Sequence, residues 1–536
     1  MRKFFKQAGK FYILPPTVAT GVFTYCLYFE KRFFSVDNLT PQQEALRAIV
    51  LSTLFIATCA IVFIAVYFFI QSEKSTKRLL ASWSSFFLCV NVLITLLIWP
   101  GYWVWDEYLL FDRLANYEAP QAQGIWTSIF YAISFLIYPS PISTLFIQIL
   151  FTSIISGSIV TYVHVQNGKL SGFLTAASFL SPVALLNNQY VLRNTLYSYL
   201  VLVLCFFTVW AYRKWHGDAN RKSNYLVLTF IGGVLGVSAS WRSEGLPLML
   251  IPVLFLVFKR QDIKYYIRPV LVILAAASVT VGATFSFSPE NYRILNFINP
   301  LSTMLNETNI QAQEAENLKD LNSCLDIQVI AKAPNYFAPD SAGLGGIRPD
   351  FKQFESQCTI AFAKIVLGHP LEFLKNRAIN FMSMNSLAGP PPHVTRGWAF
   401  VDPTGELKAA QEKFNSDFPE TTPRNPEFRN SVIQKLLFLD SSGSQSAIMP
   451  AIFQSLFIPL ILFTLVLRRR KITEPISISI AAIFWVQTAI VFMFAPANFN
   501  FYLFPVMLAI QTLCVFALTT PKRQTKINNS LGSNAN

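Results

Sequence analysis

Charged side chains are scarce in this chain. Asp, Glu, Lys and Arg make up 13% of its 536 residues, about half the share usual in a soluble domain, and a soluble globular protein of this size is thereby excluded. Histidine is rarer still, with four residues in all. Neither His nor Cys recurs at metal-ligand spacing, so no zinc signature is present. The chain also lacks a Gly-rich phosphate-cradling loop and a Gly-x-Ser-x-Gly elbow. Those gaps exclude a P-loop ATPase and a serine hydrolase of the elbow type. No internal repeat stands out.

What the chain has in place of charge is apolar and aromatic surface: 53% hydrophobic and 15% aromatic residues, with a mean hydropathy of +0.42. Apolar runs of bilayer-spanning length recur along it. They predict an all-α polytopic membrane protein of about twelve transmembrane helices, at 11–29, 46–70, 79–99, 141–164, 171–187, 191–212, 225–240, 244–258, 267–287, 447–467, 475–495 and 499–519. The pair 225–240 and 244–258 is short and reads as a tilted or partly re-entrant hairpin. The first run has a basic start, but Pro15 and Pro16 lie inside it and no small-residue cleavage site comes after. It reads as a retained span, not a signal peptide.

The formal net charge of +14 is not gathered in a stripe, as nucleic-acid binding would require. Its basic residues fall between apolar runs. With the N-terminus inside, the short inner segments carry 23 Lys or Arg and the short outer ones four: Lys31, Arg32, Arg113 and Arg242. The positive-inside rule then puts both termini in the cytoplasm. Residues 1–287 form a transmembrane core with an acidic first outer loop at 100–140. One extracytoplasmic, α-rich mixed domain spans 288–446, C-terminal transmembrane helices occupy 447–519, and 520–536 is a basic cytoplasmic tail.

Within the hydrophilic stretch, 309–321 and 351–384 have helical apolar periodicity, with His369 and Pro370 opening an amphipathic helix. Segments 338–350 and 389–398 are turn-rich. Cys26, Cys59, Cys89, Cys205 and Cys514 lie in apolar runs, where Cys behaves as a small hydrophobe. Cys324 and Cys358 are the two remaining cysteines, both in the expected oxidising compartment, and read as a disulfide.

Chemistry concentrates at one short stretch, Pro100 to Tyr108. Asp106 and Glu107 come directly after an apolar helix and are framed by Tyr102, Trp103, Trp105 and Tyr108. Interfacial aromatics alone make a membrane belt. A carboxylate pair inside one marks a functional site, because charge near the hydrocarbon is unfavourable. Arg193 opens a later span at the same face, and Arg242 and Glu244 lie in the outer turn between spans seven and eight. Two guanidiniums there suit a phosphate or diphosphate. Taken singly, each Arg reads first as snorkelling or pairing between helices, Arg242 with Glu244, and only the joint pattern turns the reading toward function. His393 and Arg396, in the Pro-rich loop, are candidate acceptor contacts beside the plainer reading of loop scaffold. Asp112, Arg113 and Glu118 read as a solvated helix face, and His164 and His216 as ordinary inner-side residues.

The Pro100 to Tyr108 stretch resembles the first outer loop of the GT-C superfamily of glycosyltransferases, which use polyprenyl-phosphate sugars. In that superfamily an Asp, often with Glu after it, comes just beyond an early membrane helix. Trp126 to Phe130, the turn Tyr138 to Pro141 and the span around Gln148 are similar to the helix, Pro-containing turn and long span that succeed the acidic motif in those proteins. Val191 to Asn194 and Trp241 to Pro247 resemble later segments that open helices at the outer face, and His369 to Arg377 a helix of bacterial members. The likeness runs from about 80 to 260 and more weakly to about 380, and includes bacterial relatives of the protein O-mannosyltransferase and aminoarabinose transferase families. Two features depart from it: Asn498 to Tyr502 stands where an Arg-Tyr pair often opens the last span, and Gln123 to Trp126 where a His is usual.

The resemblance implies a GT-C fold in a bacterial inner membrane and a polyprenyl-phosphate-linked sugar as donor. The acceptor would be an extracytoplasmic glycan, lipid or protein. Asp106 would act as general base, with Glu107 sharing that role, orienting the acceptor or helping to hold a divalent cation. Arg193 and Arg242 would bind the donor phosphate, with Glu244, Tyr108, His393 and Arg396 in the surroundings. Direct attack opposite the leaving group would invert the anomeric centre. A transporter or flippase of lipid-linked saccharide is the main rival, and should have charged or broken helices near the midplane. A surface-polysaccharide polymerase would rely on a large basic outer loop, and a silent scaffold would tolerate loss of Asp106.

Overall fold

The structure is a computed structural model that describes residues 13–101, 103, 105–118, 125–191, 193–214, 221–251, 263–285, 292–306, 310–332, 346–348, 350–387, 406–436, 456–469, 475–495 and 500–519. These residues are almost entirely helical. They include an isolated antiparallel bridge between Leu325 and Ile347.

The first half runs α1 (Leu14–Glu30), α2 (Pro41–Gln71), α3 (Lys74–Leu97), α4 (Trp105–Leu114), α5 (Ile125–Ile137), α6 (Pro141–Asn167), α7 (Lys169–Phe179), α8 (Pro182–Asn188), α9 (Arg193–Lys214) and α10 (Arg221–Trp241). Prolines set several starts, since the first helical N–H has no partner to lose. Pro141 opens α6, where the Ser140 hydroxyl accepts from the Ile142 amide at 3.3 Å.

Among the described residues, four helices are long and apolar enough to cross a membrane: Pro41–Phe63, Lys74–Leu97, Pro141–Asn167 and Ser477–Phe494. In the first two only 22% of the most apolar window is buried, against 61% in the third, so α6 is central and α2 and α3 are peripheral. The expected continuous span at 171–187 is instead α7 and α8, bent by 59°. Pro182 lacks the amide that would continue α7, and Ser181 caps α8 by accepting from the Ala184 amide. The expected span at 244–258 begins as a 3₁₀ turn, Ser243–Met249, with Pro247 inside it.

Then come α11 (Ile263–Phe285), α12 (Tyr292–Met304), α13 (Ile310–Gln313), α14 (Ala315–Leu321), α15 (Ile327–Ala331), α16 (Phe351–Gly368) and α17 (Pro370–Met384). The chain ends with α18 (Glu406–Asp417), α19 (Pro426–Leu436), α20 (Phe457–Arg469), α21 (Pro475–Phe494) and α22 (Phe504–Thr519). α10 and α11 pack backbone to backbone. A Cβ at Gly232 would meet the Ile273 carbonyl at 2.6 Å, and one at Gly236 the Ala277 carbonyl at 2.8 Å. Helix α22 is buried from Phe504 through Ile510.

Part of the hydrophilic stretch has its own core, built from α12 to α17 around Ile298, Leu321, Leu325, Ile330 and Ile365. Cys324 and Cys358 are joined there with Cα atoms 6.5 Å apart. The same helices grip α21 through Arg377, which is fully buried and donates to the Ala495 carbonyl at 2.7 Å and to Asn299 and Asn376. A part-buried Arg-carboxylate fork ties α1 to α2: Arg47 donates to both Glu30 oxygens at 2.7 Å, and the Tyr117 hydroxyl donates to one of them at 2.6 Å.

Candidate active site

The acidic turn is shaped by its backbone. After α3, Trp99–Pro100 is a cis peptide and Gly101 has φ +91°. A Cβ there would meet the Leu145 side chain at 2.9 Å and the Gln189 carbonyl at 3.0 Å, so only glycine fits. Trp103 is buried and its indole donates to the Pro100 carbonyl at 3.2 Å. Helix α4 starts at Trp105, which puts Asp106 and Glu107 in its first turn, where the helix dipole favours negative charge. Glu107 is completely buried. The side chains of Asp106 and Tyr108 lie outside the described residues.

Beneath this turn sits Tyr190, also buried. Burial pushes its phenol above the ordinary tyrosine range; the Glu107 charge adds to that rise and the Arg429 charge opposes it. Tyr190 is held by its backbone, since its carbonyl accepts from Gln148 and from Thr195. Around it runs a buried amide network. Thr95 donates to Gln189 at 2.6 Å, Asn188 to Asn91 at 3.1 Å, and Gln148 to the Asn188 carbonyl at 3.0 Å.

Three residues past Tyr190, Arg193 opens α9 and is half-buried. Arg242, just past α10, is buried and meets Glu244 edge-on, Nη2 to Oε1 at 2.7 Å and Nε to Oε2 at 3.2 Å. Burial works against the Glu244 charge, but the ion pair with Arg242, helped by the Arg193 charge, holds its carboxyl below the usual range. The Arg242 guanidinium also lies 5.3 Å from the Tyr502 ring centre and 5.9 Å from that of Tyr197. From α21, Gln487 donates to the Glu244 carbonyl at 2.7 Å and to the Tyr197 hydroxyl at 3.2 Å.

Two indoles fasten α5 to the basic half. Trp126 donates to the Ser240 hydroxyl at 2.8 Å and Trp241 to that of Thr127 at 3.0 Å, tying the start of α5 to the end of α10 beside Arg242. Arg242 and Glu244 form an ion pair on which the Arg193 charge bears, and the Glu107 charge bears in turn on Tyr190.

The chain matches no known family model, no curated protein and no solved structure.

Of the other sequence candidates, His393, Arg396 and His216 lie outside the described residues. Arg113 and Glu118 are exposed, and Glu118 accepts from Gln43 at 3.3 Å. Among the described residues no group of three or more His, Cys, Asp or Glu converges as a metal site would need. Sequence reasoning missed Tyr190, Tyr197, Gln487, Tyr502 and Arg429. Tyr190 stands three residues before a singled-out Arg, and Gln487 is a lone amide in an apolar run, which is a weak signal. Arg429 is over three hundred residues from its partners and carried none.

Proposed function

We propose that this protein is an inverting membrane glycosyltransferase with about twelve spans, moving a sugar from a polyprenyl-phosphate donor to an extracytoplasmic glycan, lipid or protein. Both termini would lie in the cytoplasm of a bacterial cell, and the acidic turn would face outward. The observation that carries the reading is the two-pronged Arg242–Glu244 fork, on which the Arg193 charge bears, with the Glu107 charge bearing on Tyr190. Arg242 meets a carboxylate through two parallel donors, and a phosphate offers the same pair of oxygens to the same fork. Glu244 is then the resting occupant of a donor-phosphate site.

In the reaction, the acceptor O–H would give its proton to Asp106 as its oxygen attacks the anomeric carbon. The bond from that carbon to the phosphate oxygen breaks, and the phosphate leaves with the electron pair. Arg193 and Arg242 would stabilise that charge. The isoprenoid tail remains in the hydrocarbon, so the chemistry has to come to the membrane surface. The test is transfer of labelled sugar from polyprenyl phosphate by the purified protein in proteoliposomes, with inversion read from the product's anomeric configuration. No transfer to any glycan, lipid or protein acceptor would remove the reading.

A specific observation favours the rival transporter. The α7–α8 break, bent by 59°, lies beside the buried amides of Asn187, Asn188 and Gln148, and broken helices with buried polar groups are what transporters build around a cargo. The same proteoliposomes separate the two, because a flippase would move lipid-linked saccharide across the bilayer without changing its covalent structure.

A further inference from the structure

We propose that segment 406–436 is an arm of the acidic site and that Arg429, at its far end, is a positioning residue that holds the Trp99–Trp103 turn and balances Glu107. This rests on reading the Asp106–Glu107 turn as the reactive end of the site. Three observations carry it, two of contact and one of electrostatics. First, Arg429 is 5% exposed and its guanidinium spans the turn, Nε donating to the Ile98 carbonyl at 3.2 Å and Nη2 to the Gly101 carbonyl at 2.8 Å. Carbonyls at the end of a helix have no partner within it, so a side chain from elsewhere decides how the chain leaves α3.

Second, the arm is tied to the turn along its length. The Glu420 carbonyl accepts from the Trp99 indole at 3.2 Å, and its carboxylate from Ser140 at 2.5 Å. Phe414 packs at 5.8 Å on Trp103 and 5.5 Å on Phe111, one helical turn beyond Glu107. Ile433 is fully buried among Ile94, Ile98, Leu186 and Tyr190. Third, the Arg429 and Glu107 charges bear with opposite sign on one buried hydroxyl, that of Tyr190.

In this proposal Arg429 offsets the Glu107 charge, and Asp106, the neighbour of Glu107 in the first turn of α4, keeps the proposed proton transfer. The arm starts beyond the Pro-rich segment 389–398, so the hydrophilic stretch would contribute to the site from a distance in sequence that no local pattern reveals.

The test uses the full-length protein in nanodiscs and compares R429Q, R429K, E107Q/R429Q and the exposed control R424Q. Hydrogen exchange is read in peptides covering 98–114, with 141–167 as reference. R429Q should speed exchange in 98–114 by about tenfold or more and leave 141–167 unchanged. R429K keeps the charge but not the two-pronged grip, and should fall between R429Q and the native protein. Removing the second charge should repair part of the damage, so E107Q/R429Q should unfold at a higher temperature than R429Q.

In a transfer assay R429Q should lose roughly tenfold or more in kcat with the donor KM little changed, and R429K should recover part of it. Unchanged exchange at 98–114 in R429Q, or a double variant no more stable than R429Q, overturns the proposal. If R429Q is recovered unfolded, R429K and F414A still decide it, because both should loosen 98–114 and neither removes a charge. Exchange that responds as described in a protein with no transfer activity leaves the arm standing and brings down the glycosyltransferase reading alone.

Discussion

Arg242 and Glu244 form a two-pronged ion pair across a single intervening residue, with contacts of 2.7 and 3.2 Å. The pair sits where α10 gives way to a 3₁₀ turn, beneath the Tyr502 ring and within reach of the Arg193 charge. Its geometry is that of the local-pairing reading of Arg242. The residue pairs locally with Glu244, and the shape of that pairing is the one a phosphate would need.

Arg242→Lys should therefore be worse than a change that keeps the charge suggests. Lysine supplies one point charge in place of a planar fork. Donor KM should rise by roughly tenfold, with a further loss in kcat, because the same contact acts before and during bond breaking. Arg242→Ala should also destabilise the protein by about 3 kcal/mol by leaving the Glu244 carboxylate without that partner. Thermal unfolding in detergent beside donor titration separates the two effects.

The Cys324–Cys358 link closes a loop with a sequence separation of 34 between α14 and α16. On the chain-entropy view, a loop of that size contributes about 4 kcal/mol. Cys324→Ser with Cys358→Ser should lower the unfolding temperature of the 292–384 helices while leaving the α9–α22 core folded. Non-reduced peptide mapping should find the link in the native protein.

Glu30 sets an acid limit on stability. Burial opposes its charge, but the Arg47 fork and the Tyr117 hydroxyl outweigh that and hold its carboxyl below the ordinary range. A carboxyl whose folded value is depressed contributes stability above its unfolded value, about 4.3 for Glu, and loses it as pH falls through the folded value. Unfolding temperature should fall below about pH 4.3 in the native protein. In Glu30→Gln it should be lower at neutral pH and flatter over the acid range.

Much of the helical layout was legible because it depends on local composition. The apolar run ending at Trp99, the helix opened by Pro370 and the Ser140–Pro141 start each reflect hydropathy or proline at a first helical position. The break at Ser181 was not legible. Leu180, Val183, Leu185 and Leu186 keep 171–187 apolar throughout, and a hydropathy window does not register the amide that Pro182 lacks. The acidic pair and both arginines were legible as charges out of place in apolar surroundings. Their supports were not. Arg429 reaches Gly101 across 328 residues, and Gln487 reaches Glu244 across 243, so only the folded chain brings them together.

The central claim is that Asp106 takes the acceptor's proton. Asp106→Asn is nearly isosteric and has no basic oxygen to offer at neutral pH. The decisive measurement is transfer of labelled sugar from polyprenyl phosphate in proteoliposomes, with donor binding and unfolding temperature followed on the same preparations. The account predicts a fall in turnover of roughly 10²-fold or more, with donor binding and stability unchanged. Native rates of transfer by the Asn variant would contradict it.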